Sequence, residues 1–330
     1  MVKEGIAAYT GFGYTTATEG RAFPADLDLY AALAEAGDLD IDVIAFPDYW
    51  LGRESLENNP WMSRDYRGRF RIGGVKGNLD GSPQGKTAWM TEPYYVPPEG
   101  READYVGYPM LEEEQALAMF DDAYARGWQV INHVNGDAAI DQMIRAARAA
   151  TEKYGPADRR SVGIHSQTIR PDQLDAYTEL DIIPSFFGMH TFYWGDWHRE
   201  SVLGPERAAF ISPAQAALDR GLIYTQHHDA PVALPSSIMI LATQVNRTTR
   251  SGEVLGPDQR VSAMDAIRSI TINAAYQYFE EDRKGSIEPG KLADFVILDA
   301  NPFEIPPEAL FDLQVVETIK EGKTVYRRTD

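Results

Sequence analysis

Five side chains that can bind a metal ion or transfer a proton close successive strand-like runs of this sequence. They are Lys76, His133, His165, His190 and Asp229. Imidazole and carboxylate groups bind divalent metal ions, and both also act as acids and bases. A lysine amine is cationic, with an ordinary pKa of about 10.4, and it can bind a metal ion only if it is carboxylated to a carbamate. Together, such residues could hold a metal ion and a hydroxide for attack on a carbonyl carbon.

The elements that must position these residues alternate between strand-like and helix-like patterns, which is typical of a parallel sheet with helices outside it. The strand-like runs cover 13–19, 41–48, 72–76, 130–133, 162–165, 182–190 and 222–229. The helix-like stretches between and after them include 112–126, 138–154, 171–180, 213–220 and 262–279. Units of about 30 residues predict an α/β fold of the TIM (β/α)8 barrel type. Because the strand ends of such a barrel converge on one face, we expect the five side chains to meet there.

Two regions depart from this alternation. Residues 77–110 are rich in Gly, Pro and Tyr and show no sustained periodicity, which predicts a long loop over one strand end. Beyond residue 284, short strand-like runs and turns follow one another without a helical pattern. We therefore predict a barrel domain over 1–283 and a small C-terminal β segment over 284–330.

Composition excludes several classes of protein. The chain has 330 residues, with 31 Lys+Arg against 50 Asp+Glu, so its formal net charge is −19. That charge repels nucleic-acid backbones and anionic membrane surfaces, and neither is an expected partner. The absence of cysteine excludes disulfide scaffolds and thiolate zinc sites. Without a secretion-signal pattern or a long apolar run, the sequence predicts a cytoplasmic protein.

Seven short motifs make the sequence resemble the amidohydrolase superfamily. The resemblance is to the amidohydrolase 3 branch, which includes YtcJ-like proteins, N-substituted formamide deformylases and AepA-like exoenzyme regulatory proteins. The motifs cover 13–16, 75–82, 133–137, 164–167, 228–232, 271–275 and 285–294. The resemblance implies a metal-dependent hydrolase that cleaves non-peptide C–N bonds in a small amide-like or formamide-like substrate.

The same resemblance implies a role for each site residue. The implied metal ligands are Lys76 as a carbamate, His133, His165 and Asp229. Asp229 would also carry a proton from the attacking water to the leaving amine. The implied catalytic or substrate-contacting residue is His190, and His227 and Trp194 are further candidates for substrate binding. Zinc is the expected divalent metal ion, with one site occupied and a second doubtful.

The sequence also departs from this family. The runs correspond to strands 2 to 8, and the His-x-His pair expected on strand 1 is absent, since the first histidine is His133. We therefore expect an incomplete barrel, the C-terminal portion of a longer hydrolase. Unpaired strand edges predict a homo-oligomer or another association. A catalytically inert protein with a regulatory or interaction role is the alternative. A metal-free isomerase or lyase using unmodified Lys76 is a third possibility.

Overall fold

The computed structural model describes residues 2–329, which form two compact units. The first unit contains residues 2–76, 228–239 and 271–329. The second unit contains residues 77–227 and 240–270. Each unit is built around its own β-sheet framework.

The strands carry the labels β1 to β11 in chain order. They are β1 (Thr16–Ala22), β2 (Asp42–Pro47), β3 (Phe70–Ile72), β4 (Gly74–Asn78), β5 (Gln129–Val134), β6 (Val162–His165), β7 (Ile183–Phe186), β8 (Thr225–Gln226), β9 (Phe295–Leu298), β10 (Val315–Lys320) and β11 (Lys323–Arg327). The strand β4 begins at the end of the first unit and continues into the second.

The α-helices carry the labels α1 to α12. They are α1 (Val2–Gly11), α2 (Pro24–Ala36), α3 (Tyr49–Gly52), α4 (Glu113–Ala125), α5 (Asp137–Tyr154), α6 (Pro171–Glu179), α7 (His190–Trp197), α8 (Gly204–Ala209), α9 (Ala214–Leu218), α10 (Ser237–Asn246), α11 (Ala263–Ser269) and α12 (Ile272–Gln277). Short 3-10 helices cover Arg53–Leu56, Pro257–Gln259 and Pro307–Asp312, and a π-helix covers His198–Val202.

The first unit contains two three-stranded sheets. In one, β1, β2 and β3 run parallel, and β2 lies in the middle with all six of its residues buried. Apolar and β-branched side chains such as Val43 and Ile44 favour this buried strand. In the other sheet, β10 pairs antiparallel with both β9 and β11. The turn between β10 and β11 uses Gly322 at φ +78°, a conformation that favours glycine.

The second unit contains a five-stranded sheet in the order β4-β5-β6-β7-β8. The pairs β5–β6, β6–β7 and β7–β8 are parallel. Helix α5 packs an apolar face inward, including the fully buried Ile140, Met143 and Ala147. Because neighbouring parallel strands end at the same edge of a sheet, the residues that follow β5, β6 and β8 come together there.

Most predicted elements are present, and several local predictions are wrong. The run predicted over 72–76 is divided between β3 and β4, and Lys76 lies inside β4. Strand β7 ends at Phe186, so His190 does not close it but begins helix α7. Strand β8 is only two residues long and ends before Asp229. The predicted helix over 262–279 is two helices, because Thr271 has a non-helical φ of −124° and ψ of −96°. The long irregular segment predicted over 77–110 is confirmed from Leu79 to Glu112. No helix among residues 2–329 is long and apolar enough to span a membrane.

A network of buried charges joins β2, β3 and the C-terminal segment of the first unit. Asp42 Oδ2 lies 2.6 Å from Lys284 Nζ and 2.8 Å from Lys320 Nζ. Lys284 Nζ also lies 2.8 Å from Glu280 Oε2, which belongs to the carboxylate that pairs with Arg71. Burial raises the pKa of Asp42, but the two ammonium groups outweigh burial and hold that pKa below its usual value. The network therefore depends on ionised Asp42.

We expect Asp42→Asn to lower the free energy of unfolding by about 3 kcal/mol, because two buried ammonium groups lose a carboxylate. The stabilisation from ionised Asp42 is fully present above its unfolded pKa of about 3.9 and is lost as pH falls through its lower folded pKa. Urea unfolding at pH 7 and below pH 4 should therefore show a difference between wild type and variant that shrinks in acid.

The matched control is Asp38→Asn, because Asp38 forms an exposed ion pair with Lys3 at 2.9 Å. An exposed pair contributes about 0–1 kcal/mol, so this variant should unfold nearly as the wild type does. An equal loss of stability in both variants would contradict a special role for the buried network.

Candidate metal centre

Strand register places three histidines at one edge of the second unit's sheet. In the β5–β6 ladder, His133 lies opposite Ile164 and Val134 lies opposite His165. His227 directly follows β8, and its backbone N–H donates to Phe186 O at 3.0 Å. The ends of β5, β6 and β8 therefore each deliver one imidazole to the same edge.

The three rings form a compact imidazole cluster, defined here as His133, His165 and His227. The ring centroids of His133 and His165 are 4.6 Å apart, and those of His165 and His227 are 4.7 Å apart. His227 Nε2 lies 3.0 Å from His165 Nδ1, while His227 Nδ1 lies 3.3 Å from Ser185 Oγ. The geometry turns one nitrogen of His227 toward His165.

The backbone at His165 is held in an unusual conformation. His165 has φ +74° and Ser166 has φ +41°, which are left-handed values that side chains larger than glycine rarely adopt. Ser166 is secured on both sides, because its N–H donates to Val134 O at 2.8 Å and its hydroxyl to Gly163 O at 3.0 Å. Strain of this kind costs about 1–3 kcal/mol per residue and is common at functional sites.

His133 presents an unprotonated Nε2. The amide nitrogen of Asn135 lies 3.2 Å from that Nε2 and donates to Gly81 O at 3.0 Å. Because the carbonyl of Gly81 requires a donor, it fixes which end of the Asn135 amide faces the ring. His133 Nε2 therefore faces a donor and acts as an acceptor.

A second pair of histidines lies deeper in the second unit. His190 Nδ1 lies 3.1 Å from His198 Nε2, and Gln167 Nε2 lies 3.1 Å from the same His198 atom. Burial is the largest cause that lowers the pKa of His190 well below its ordinary value, and burial lowers the pKa of His198 to about 3. The rings of Phe187 and Trp194 pack on His190 at centroid distances of 4.6 and 4.7 Å. His198 begins the π-helix and is fully buried.

The first unit holds the other two predicted ligands. Lys76 is buried, and burial lowers the pKa of its amine to about 7, against an opposing effect from the Asp229 carboxylate. Asp229 is exposed and has φ +54°. The adjacent His228 packs its ring on those of Tyr9 and Tyr14 at 5.2 and 5.6 Å. Within this unit, then, Lys76 and Asp229 lie close enough for their charges to interact.

Two imidazoles of the cluster, those of His165 and His227, are spaced to fit a divalent metal ion. Zinc binds imidazole nitrogen at about 2.0–2.1 Å, so two such ligands of a tetrahedral ion lie about 3.3 Å apart. The His165 and His227 nitrogens are 3.0 Å apart, close to that separation. Two imidazoles leave further positions of a tetrahedral ion for other ligands and for water or substrate.

Comparison with known proteins decides the family. The model of the Amidohydrolase family matches residues 1–326. The chain belongs to the amidohydrolase family. This match confirms the family that the sequence motifs indicated. It also confirms the predicted α/β fold with parallel sheets.

The chain is similar to two curated proteins. It is 34% identical over 229 residues to the N-substituted formamide deformylase of Arthrobacter pascens, covering 68% of this chain and 41% of that one. It is 26% identical over 266 residues to the protein YtcJ of Bacillus subtilis (strain 168), covering 78% of this chain and 48% of that one. The chain spans less than half the length of the curated relatives it matches.

The fold is also similar to a solved structure. The crystal structure of an uncharacterized metal-dependent hydrolase from Pyrococcus horikoshii OT3 superposes with a TM-score of 0.74 at 25% identity. The similarity covers 88% of this amidohydrolase and 57% of that chain. At least one protein with a similar fold is therefore a metal-dependent hydrolase.

Three residues of the site have no assigned role in the sequence prediction. Asp80 and Asn135 flank His133, and Gln167 contacts His198. The motifs of the amidohydrolase resemblance contain all three residues, Asp80, Asn135 and Gln167. Their position in these motifs was the one feature of the sequence that could have marked them as site residues. Their side-chain partners depend on loops whose path the sequence pattern does not determine.

We expect His198→Gln to flatten the pH dependence of stability in this amidohydrolase. Because the folded pKa of His198 is lowered to about 3, the unfolded chain binds the proton more readily between about pH 3 and 6.5. The stabilisation from neutral His198 is thus fully present above about pH 6.5 and is lost as pH falls through that window. Chemical unfolding at several pH values measures how steeply the free energy of unfolding changes with pH.

Gln167→Ala is the control for this prediction. It removes a hydrogen-bond partner of His198 but leaves the titrating ring in place, so stability should fall while the slope persists. A slope that stays unchanged in His198→Gln would show that the proton uptake on unfolding belongs to other groups.

Proposed function

We propose that this amidohydrolase is a metal-dependent hydrolase of non-peptide C–N bonds in small amide-like or formamide-like substrates. The observation that carries the proposal is the imidazole cluster, in which two ring nitrogens lie 3.0 Å apart beside a third ring. The similarity to an N-substituted formamide deformylase supports the bond type. The similarity to a metal-dependent hydrolase structure supports the use of a metal ion.

The cluster residues would hold the metal ion. His133, His165 and His227 are its proposed ligands in the second unit, and zinc is the proposed metal because it accepts nitrogen ligands readily. A divalent ion bound there would polarise a carbonyl oxygen and lower the pKa of a water molecule. His227, predicted to bind substrate, is moved to the ligand set in this proposal because its Nε2 faces His165.

The remaining site residues keep their predicted chemistry. Lys76, in carboxylated form, is a proposed further ligand. Asp229 is the proposed ligand and proton carrier, because its carboxylate is exposed and can exchange a proton with water or a leaving amine. His190 is the proposed contact to the substrate carbonyl, and Trp194 packs on it to supply an apolar wall.

We also propose a barrel fold, a composite C-terminal domain, an association through strand edges and a cellular location for this chain. The order β4 to β8 in one sheet follows the chain, which supports assigning these strands to a (β/α)8 barrel whose strands 2 to 8 are present. The C-terminal sheet of β9, β10 and β11 would be part of a composite β-sandwich domain. Association through strand edges and a cytoplasmic location are further proposals.

Metal content tests the first part of the proposal. We expect about one zinc equivalent per chain when the protein is purified without chelator and measured by inductively coupled plasma mass spectrometry. His165→Ala and His227→Ala should lose the metal, because each removes one ring nitrogen of the close pair. His228→Ala is the control and should keep it, since His228 packs on tyrosine rings. Absence of metal in the wild type would contradict the proposal.

Hydrolysis of N-substituted formamides tests the second part. We expect formate and amine release to require the metal and to fall by about 10²–10⁴-fold in Asp229→Asn, because a general acid–base group is lost. Formate detection in a coupled assay measures this release. If the chain binds metal but hydrolyses none of a panel of amides and formamides, the inert regulatory alternative is favoured.

A further inference from the structure

Ser185 carries a buried hydroxyl that contacts the imidazole of His227. In the sheet of the second unit, Ser185 of β7 lies opposite Ile164 of β6 and Thr225 of β8. His227 continues the β8 ladder, because its backbone N–H donates to Phe186 O at 3.0 Å. Side chains two residues apart on a strand point to the same face, so His227 lies on the face of Thr225 and Ser185. The strand register therefore places the hydroxyl next to the ring.

The contact uses the ring nitrogen of His227 that does not face His165. His227 Nδ1 lies 3.3 Å from Ser185 Oγ, and the opposite nitrogen, Nε2, lies 3.0 Å from His165 Nδ1. Only 4% of Ser185 is exposed, and buried hydroxyl groups are normally hydrogen-bonded. Ser185 and His165 thus contact the two nitrogens of the same ring.

The protonation of one nitrogen of His227 determines the state of the other. A neutral imidazole has one N–H donor and one acceptor nitrogen, so a proton on Nδ1 leaves Nε2 unprotonated. A nitrogen that binds a metal ion must be unprotonated, and metal binding releases protons. His227 can therefore offer Nε2 to a metal ion while Nδ1 carries the proton, and the Nδ1–H group then needs an acceptor.

We infer that Ser185 is a positioning residue that accepts the Nδ1–H hydrogen bond of His227 and keeps Nε2 directed toward His165. This inference rests on the proposed function, in which His165 and His227 bind the metal ion. A partner of this kind fixes the ring orientation and the tautomer of a ligating histidine. Because a hydroxyl both donates and accepts hydrogen bonds, Ser185 can also pair with Nδ1 in the metal-free protein, whichever of the two facing nitrogens carries the proton.

The sheet holds Ser185 more firmly than it holds His227. Ser185 lies inside the buried strand β7, which pairs with a parallel strand on each side. His227 follows a strand of only two residues, so its ring depends on neighbouring side chains for support. The ring of Phe187 packs on that of His227 at a centroid distance of 5.3 Å, but an apolar contact does not distinguish the two imidazole nitrogens. The hydroxyl of Ser185 supplies the directional contact.

Zinc affinity is the first test of this inference. We expect Ser185→Ala to weaken zinc binding by about 10–100-fold in competition with a chromogenic chelator, because the Nδ1–H group of His227 loses its acceptor. Ser161→Ala is the matched control, since Ser161 is another buried serine of the second unit and its hydroxyl lies 3.0 Å from Tyr124 Oη. This control should bind zinc within about twofold of the wild type.

The Nδ1 proton of His227 is the second test. We expect ¹⁵N-histidine NMR of the zinc-bound wild type to show His227 protonated at Nδ1, with a proton that exchanges slowly with water. At saturating zinc, that proton should exchange faster in Ser185→Ala and at the wild-type rate in Ser161→Ala. The His227 signals are assigned in the metal-free protein by their loss in His227→Gln and are followed through a zinc titration.

The outcomes separate the possible explanations. An unchanged zinc affinity in Ser185→Ala would overturn the inference, and so would an equal loss in Ser161→Ala, which would assign the effect to the loss of any buried hydroxyl. If Ser185→Ala does not fold, the zinc-bound wild type decides, and a His227 protonated at Nε2 would overturn the inference. If the wild type binds no zinc, the proposed function fails, and the metal-free protein still tests Ser185. The Nδ1 resonance of His227 should then move in Ser185→Ala and not in Ser161→Ala, and an unmoved resonance would overturn the contact.

Discussion

The parallel hydrogen-bond ladder of the second unit is the constraint on which the site depends. A parallel register fixes which residues of neighbouring strands lie side by side, and it brings the carboxyl ends of the strands to one edge. His133, His165 and His227 come together because β5, β6 and β8 end at that edge. The left-handed backbone at His165 is part of the same constraint, since the chain turns sharply where its strand stops.

The site also shows how backbone groups can support charged and polar side chains without a counter-ion. Asp80 is held by three backbone amide donors, those of Trp89, Asn135 and Gly136, and Asn135 is oriented by one carbonyl. Together these contacts surround His133 with a donor on one side and a carboxylate on the other.

The first unit uses the opposite strategy for its buried charges. Asp42, Lys284, Lys320 and Glu280 pair side chain to side chain, so each charge depends on several others. Such a network joins the start of β2 to segments more than two hundred residues away in sequence. In the second unit, the buried carboxylate of Asp80 instead depends on backbone N–H groups.

The sequence by itself determined the family, the parallel α/β class and the histidines that end β5 and β6, because motifs and hydrophobic periodicity are local properties of the chain. The sequence pattern placed the end of β7 too late and made β8 too long. Strand ends depend on which neighbouring strand is available for pairing. Only the tertiary structure decided that His227 faces His165, that His190 pairs with His198 and that Asp80 lies behind His133. These contacts join residues on separate strands and loops, and their geometry is set by packing, which no local pattern encodes.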